Sequence, residues 1–368
     1  MVRHRLQLCA LLFALVISLA TVAKARKLDS PDFKVFYTAA RHVLVSPADM
    51  YRISPDRYLY PPSTAPMLLP FAFTEHYQFH QWTWHALLGI TLFLLARSSW
   101  AALLAMLLLT RYLAVSFGYG QINLIVIAFM AAAMKNLSDR PALSGAFAAL
   151  ASSLKVYPAV LFPAYLRRFS WPAILGGLVS GLFLFVLPFV FFGLDLGAQL
   201  YRDFFQALAN KGMPIYSHNQ SLSALGLRLF SDQAFLLHGV GEIKWSLLAL
   251  DPVFVRYVAL FLGLLLSALS WIHAWKKNTE SAFLSAAAFS ILFLSHIVWK
   301  DYLLLLYFPL SELFSRYGKK QTWILAGSFL AIVTLSSPDI LGPPIAARLD
   351  AASIHLWGAV LVWKLWKK

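Results

Sequence analysis

Long apolar runs alternate along the chain with short polar or basic breaks. Apolar stretches fall at 6–23, 79–97, 99–117, 121–135, 142–153, 157–167, 171–193, 252–275, 281–298, 302–315, 321–337 and 352–365. A helix needs about 20 apolar residues to cross a hydrocarbon core of about 30 Å, and most of these runs approach that length. No alternating ten-residue pattern predicts a membrane β-barrel. The pattern predicts an all-α polytopic integral membrane protein, one domain over 1–368, with about 12 segments. The runs 142–153 and 157–167 are too short to cross alone when straight. They read as half-helices of a broken or re-entrant pair around Lys155.

Basic residues then orient the chain. With the N-terminus cytoplasmic, the inside collects Arg3, Arg5, Arg97, Lys135, Arg140, Arg167, Arg168, Lys276, Lys277, Arg316, Lys319, Lys320 and the tail "KLWKK". Both termini are expected in the cytoplasm, in the plasma (inner) membrane. The two long connections, 24–78 and 194–251, are expected on the external, periplasmic side, and connections of that length are usually functional. The triplet "AKA" at 23–25 imitates a signal-peptidase site. A retained first helix is the expectation, and either fate leaves Asp32 external.

Composition agrees. The chain has 368 residues, 60% hydrophobic and only 13% charged, against roughly 25% charged in soluble domains. Its net charge of +15 is scattered in small clusters, which suits topology signals and lipid headgroups better than nucleic acid. The single Cys9 supports neither an intramolecular disulfide nor a cysteine metal site. Zinc-type spacing, a P-loop, a dinucleotide fingerprint and a GxSxG elbow are all missing, so no metal and no cofactor is expected.

The remaining polar groups near span ends fall on one side. Asp32, Asp49, "GYGQIN" at 118–123, Lys155, "HNQS" at 218–221 and "WKDY" at 299–302 are all external by this count. Charges held at membrane depth cost several kcal/mol by insertion scales and tend to line a cavity or bind something. Each has a structural alternative, and these stay open. Ser30 can cap a helix with Pro31 at its first position and Asp32 complementing the dipole. Lys155 can snorkel, and Gln121 and Asn123 can join helices. His218, Asn219 and Gln220 can be loop polars, and Asp301 can pair with Lys300. Phe33, Phe36 and Tyr37 read as the face that seats a short helix on the membrane.

The ordered stretches "PDFKVFYTAA", "ADMY", "YPPSTAPMLLPF", "GYGQINLIVIAFM", "SSLKVYPAVLFPAYLRR", "HNQSLSALGLRL" and "LSHIVWKDYLLLLYFPL" resemble glycosyltransferase family 87. That family comprises polytopic mannosyltransferases of the GT-C class, including phosphatidylinositol-mannoside enzymes. The resemblance covers about 30–315 and implies a GT-C fold with an external active site. It implies a polyprenyl-phosphate sugar donor, a lipid or glycan acceptor and transfer of a hexose, mannose in the family. The family's catalytic aspartate matches Asp32. Its glutamine and asparagine match Gln121 and Asn123, its lysine before proline matches Lys155, and its external asparagine-glutamine-serine matches Asn219, Gln220 and Ser221. Where many members carry a late W-x-H, this chain has Trp299, Lys300 and Asp301, with His296 earlier.

Sugar transfer from a lipid phosphate needs one base and a cation for the leaving phosphate, unlike the two carboxyls of most glycosidases. Asp32 is the expected base of an inverting reaction. Lys155, Arg228 and Lys300 are the expected phosphate ligands. Tyr60, Tyr119, Gln121, Asn123, His218, Asn219, Gln220, Trp299 and Asp301 are expected around the sugar. The rival reading is a transporter or flippase, which should show paired repeats and polar groups reachable from both sides. Neither is evident.

Overall fold

A computed structural model describes residues 2–52, 58–212, 214–316 and 318–368. The side chain of Lys319, part of the basic pattern, lies outside the described residues, as do those of the "AKA" triplet, Arg26 and Lys27. The fold is all-α: nineteen α-helices among the described residues, joined by one small hairpin that pairs Phe235–Leu237 antiparallel with Gly241–Ile243. Among the described residues, three helices are long and apolar enough to cross a membrane, Val2–Val22, Trp171–Phe192 and Pro252–Lys277. Two bent pairs raise that to five if each is one span.

One bent pair corrects the expectation of a single helix over 99–117. Trp100–Leu108 and Thr110–Tyr119 meet at 70°. The other, Pro343–Ala351 and Ile354–Trp366, bends by 52° at Ser353, which sits in the left-handed region at φ 53°. Hydropathy records depth and not direction, so neither bend shows in an apolar run.

The chain packs as two compact units, each interrupted in sequence. The first comprises 1–97 and 114–212, and the second 98–113 and 213–368. Both are built around helix pairs brought together by glycine. In the first unit Pro141–Leu154 packs on Trp171–Phe192. A Cβ on Gly145 would lie 1.9 Å from the Ala173 carbonyl, and one on Gly176 2.2 Å from that of Ala142. Small residues let backbones approach where lipid offers no hydrophobic drive between helices. In the second unit Pro252–Lys277 packs on Glu280–Leu294, and a Cβ on Gly263 would lie 2.4 Å from the Phe293 carbonyl.

The ends of that second pair are set by local chemistry. Asp251 caps Pro252–Lys277 by accepting from the Val253 and Phe254 amides at 2.7 and 3.0 Å. Asn278 closes it in the left-handed region at φ 51°, and Thr279 caps the next helix by accepting from Ala282 N. At this end the buried Glu312 gathers two basic residues of the positive-inside pattern. It lies 3.1 Å from Arg316 and 3.5 Å from Lys277, and accepts from Trp366 Nε1 and Ser285 Oγ.

Candidate functional site

The first unit assembles six of the expected residues from four stretches of sequence. Helix Pro31–Val45 starts as read, with Pro31 first and Asp32 in the first turn. Ser30 makes no side-chain cap bond. It is fully buried in the left-handed region at φ 37°, and its Oγ accepts from Gln81 Nε2 at 2.9 Å. The capping role therefore gives way to a tether onto helix Tyr77–Ala96. Phe33 and Phe36 are buried within the protein, not laid on lipid. Phe33 stacks on Trp84 with centroids 5.5 Å apart, and Phe36 meets Tyr60 edge-on at 4.8 Å.

This packing aims the carboxylate. Trp84 Nε1 donates to the Gly120 carbonyl at 2.9 Å, and the Gln121 amide donates to Ser116 O at 2.8 Å. Gly120 holds φ +70°, and a Cβ there would come 2.6 Å from the Phe33 Cβ. Glycine is what this contact and this backbone require. The result is that Gln121 Nε2 donates to Asp32 Oδ2 at 2.7 Å. With the amide nitrogen facing this accepting oxygen, Gln121 Oε1 is left buried without a partner among the described residues.

Two residues on, Asn123 Oδ1 accepts from Tyr157 OH at 3.0 Å. Lys155 stands in extended backbone at the break after Pro141–Leu154. It is only 8% exposed, with its ammonium 5.9 Å from the ring centres of both Tyr60 and Tyr157. A snorkelling lysine would be exposed, so that alternative is set aside. The contacts close a ring: Asp32, Gln121, Asn123, Tyr157, Lys155, Tyr60 and, through Phe36, the helix of Asp32 again. Tyr119 is on its margin in sequence and 42% exposed.

The second unit holds the remaining expected residues, and several are committed to architecture. Asn219 is fully buried. Its amide donates to the Pro214 and His296 carbonyls, while Oδ1 accepts from the Ser221 and Val298 amides. Gln220, also fully buried, donates through Nε2 to the carbonyls of Ser217 and Asp350. "HNQS" thus ties 214–221 to the chain at 296–298 and at 350. The Asn219 amide and Gln220 Nε2, expected at the sugar, are spent on backbone, and Gln220 Oε1 is buried without a partner among the described residues.

Arg228 is likewise reassigned. Its guanidinium is fully buried and donates to five acceptors: the carbonyls of Ile215, Tyr216, Asn219 and Ala351, and Ser353 Oγ. A fork whose donors are used this way is a clamp, not a phosphate ligand. Arg228→Leu should leave these acceptors unsatisfied and destabilise the protein by about 4 kcal/mol. A lower melting temperature in detergent checks it. Arg228→Lys should recover little, since one ammonium cannot reach all five.

Lys300 pairs with Asp350, its Nζ 2.6 Å from Oδ2, and its side chain is 14% exposed. Asp350 is a hub that sequence reasoning missed. Its Oδ1 accepts from His355 Nε2 at 3.1 Å, and Tyr112 OH meets His355 Nδ1 at 2.9 Å. His218 Nε2 stands 3.6 Å from Oδ2. Burial, then the nearby Lys300 charge, pushes the His218 imidazole down to about 4, so it is neutral at physiological pH. Trp299 lies 5.3 Å from the Tyr216 ring, and the His218 and His238 rings are 4.6 Å apart. Asp301 is buried. The available signal was an acid and a histidine, Asp350 and His355, flanking the start of the last apolar run.

Among the described residues no group of three or more His, Cys, Asp or Glu side chains is placed to hold a metal ion. No curated protein and no solved structure matches the chain. A family model does, over residues 58–295, and its description is glycosyltransferase family 87. Gln121, Asn123 and Lys155 fall within the match, whereas Asp32, Trp299, Lys300 and Asp350 lie outside it.

Proposed function

The chain belongs to glycosyltransferase family 87 and is a membrane glycosyltransferase, and from that premise we propose a donor, a base and a face of the membrane. The donor is a polyprenyl-phosphate hexose, mannose being the family's preference, and the acceptor is a lipid or glycan hydroxyl. The reaction runs at the external face of the plasma membrane with both termini cytoplasmic, in a GT-C arrangement. The positive-inside distribution supports that orientation.

Asp32 takes the proton of the acceptor hydroxyl. The acceptor oxygen bonds to the anomeric carbon from the face opposite phosphate, the bond from that carbon to the phosphate oxygen breaks, and polyprenyl phosphate leaves. One displacement inverts the centre. The observation that carries this reading is the 2.7 Å bond from Gln121 to Asp32 within the ring that also holds Asn123, Tyr157 and Lys155. Gln121 stabilises the carboxylate as an acceptor and fixes its direction. Lys155 faces the same ring as a point charge suited to the leaving phosphate. Tyr60, Tyr119 and Asn123 are assigned to the sugar.

The test is transfer of label from a radiolabelled polyprenyl-phosphate hexose to membrane lipids or glycans, with membranes containing and lacking the protein. Transfer from a nucleotide sugar alone would discard the donor class. Lys155→Ala should raise the donor KM by about 10- to 100-fold, the value of a charge-assisted hydrogen bond of about 1.5–3 kcal/mol, with a smaller change in kcat. An unaltered donor KM would assign Lys155 to packing between its two tyrosines.

A further inference from the structure

Helix Tyr77–Ala96 carries a buried histidine that the proposed reaction does not use. His85 is 4% exposed and lies inside an apolar run, where a polar ring needs partners. It has two, and both are backbone carbonyls. Nδ1 stands 2.7 Å from the Gln81 oxygen, one turn back on its own helix, and Nε2 stands 2.9 Å from the Phe117 oxygen. Carbonyls only accept, so each contact calls for an N–H on the ring. The two contacts differ in reach. The first stays within one helix, whereas the second joins segments 32 positions apart.

Phe117 O sits at a place that matters to the site. It belongs to the last turn of helix Thr110–Tyr119 and also accepts from Gly120 N at 3.0 Å, closing the turn that presents Gln121. Carbonyls at a helix C-terminus lack partners in the helix ladder and favour a donor from outside. His85 supplies one, and its neighbour Trp84 supplies another at Gly120 O. One turn back, Gln81 Nε2 donates to Ser30 Oγ at 2.9 Å, two residues before Asp32. Gln81, Trp84 and His85 stand at i, i+3 and i+4, on one face of one helix. That face grips both halves of the 2.7 Å pair of Asp32 and Gln121, and every residue in these contacts lies in the first unit.

We propose that His85 is a positioning residue for the transfer reaction: its Nε2–H, donated to the Phe117 carbonyl, registers the 117–121 turn against the helix that tethers the start of Pro31–Val45, and so holds Gln121 on the base. This rests on the reading of Asp32 as the base of a glycosyl transfer, and deepens it. His85 acts through Phe117 and Gln121 on the direction of the carboxylate. A reacting group misplaced by about 1 Å can cost about a hundredfold in rate, and partial loosening of one contact costs less.

The experiment replaces each half of the ring by an amide. In His85→Gln the side-chain nitrogen stands in for Nε2 and can reach Phe117 O, whereas in His85→Asn it stands in for Nδ1 and reaches only Gln81 O. With a polyprenyl-phosphate hexose as donor, His85→Asn should lower kcat by about 30-fold with the donor KM within about twofold, and His85→Gln should recover most of the loss. Equal losses in the two variants, a rise in donor KM alone, or a wild-type kcat in His85→Asn overturns the proposal. Backbone hydrogen exchange, read by mass spectrometry, gives a measure that needs no reaction. Exchange should rise at 28–36 and 117–123 in His85→Asn and not in His85→Gln, with the rest of the chain and the melting temperature as in wild type. A rise along the whole chain with a lower melting temperature marks a packing role and overturns it. Should His85→Asn fail to fold, His85→Met, of similar reach and without an N–H, is set against His85→Gln in the same measurements. Exchange that rises only at those two segments, in a protein that transfers no polyprenyl-linked hexose, sinks the proposed donor and keeps the positioning. Exchange unaltered there sinks the positioning whatever the donor.

Discussion

Asp32→Asn should lower turnover by about a thousandfold while the protein accumulates and melts as wild type does. The size follows from the role. A positioned general base contributes typically about 10²- to 10⁴-fold, and tenfold corresponds to about 1.4 kcal/mol of barrier. The sparing of the fold follows from the geometry. Gln121 donates to one oxygen of Asp32, and an asparagine carbonyl can accept the same bond at the same length. The substitution therefore removes a charge and a proton acceptor while conserving shape and the contact. Turnover within about fivefold of wild type would show that the proton leaves by another route. Collapse of the melting temperature would assign Asp32 to the helix start, where it also lies in the first turn.

Gly120→Ala should cost about a hundredfold in kcat with little change in donor KM. It alters no group assigned to the chemistry. Two strains combine: an L-residue at φ +70° costs about 1–2 kcal/mol, and the new Cβ would come 2.6 Å from that of Phe33, which cannot swing away because it is the root of its side chain. Helix Pro31–Val45 or the 118–122 turn must shift, and Phe33 is the next residue after Asp32. Misplacing a reacting group by about 1 Å can cost about a hundredfold. Gly120→Asn separates the two strains. Asparagine tolerates the left-handed region yet brings the same Cβ, so it should be no better than alanine. Recovery of turnover in the asparagine variant would trace the defect to backbone conformation alone.

How much of this was legible in residues depends on what enforces each feature. The helical class was readable because lipid leaves a spanning backbone only a helix or a closed barrel, and the apolar runs lack the alternation of a barrel. The pairing of Asp32 with Gln121 was foreshadowed by the expected common site and by the motif resemblance, whereas the family match itself begins beyond Asp32. Arg228 was misread because a cation in sequence carries no sign of whether anions or carbonyls surround it. Five carbonyl and hydroxyl acceptors drawn from 215–219 and 351–353 become visible only when those segments meet. The backbone partners of Asn219 and of Gln220 Nε2 were hidden for the same reason. Phe33 and Phe36 were read as lipid-facing since aromatic residues at a span end suit lipid and core equally well, and Trp84 and Tyr60 decide for core. Asp350 went unremarked because an acid before an apolar run looks like a helix start, and its partners Lys300 and Tyr112 are remote in sequence.

Helix Trp171–Phe192 shows two kinds of constraint side by side. On one flank Gly176 touches a neighbouring backbone with no room for a methyl group. On the other, Leu175, Leu178, Leu182, Phe183 and Val190 project outward with most of their surface uncovered. Among the described residues these side chains are left mostly uncovered, so selection there can act on greasiness more than on shape. Across relatives this flank should drift freely among leucine, valine, isoleucine and phenylalanine, while Gly145 and Gly176 stay small. A deep mutational scan of this one helix would record that difference as two stripes, one intolerant and one indifferent, running along the same cylinder.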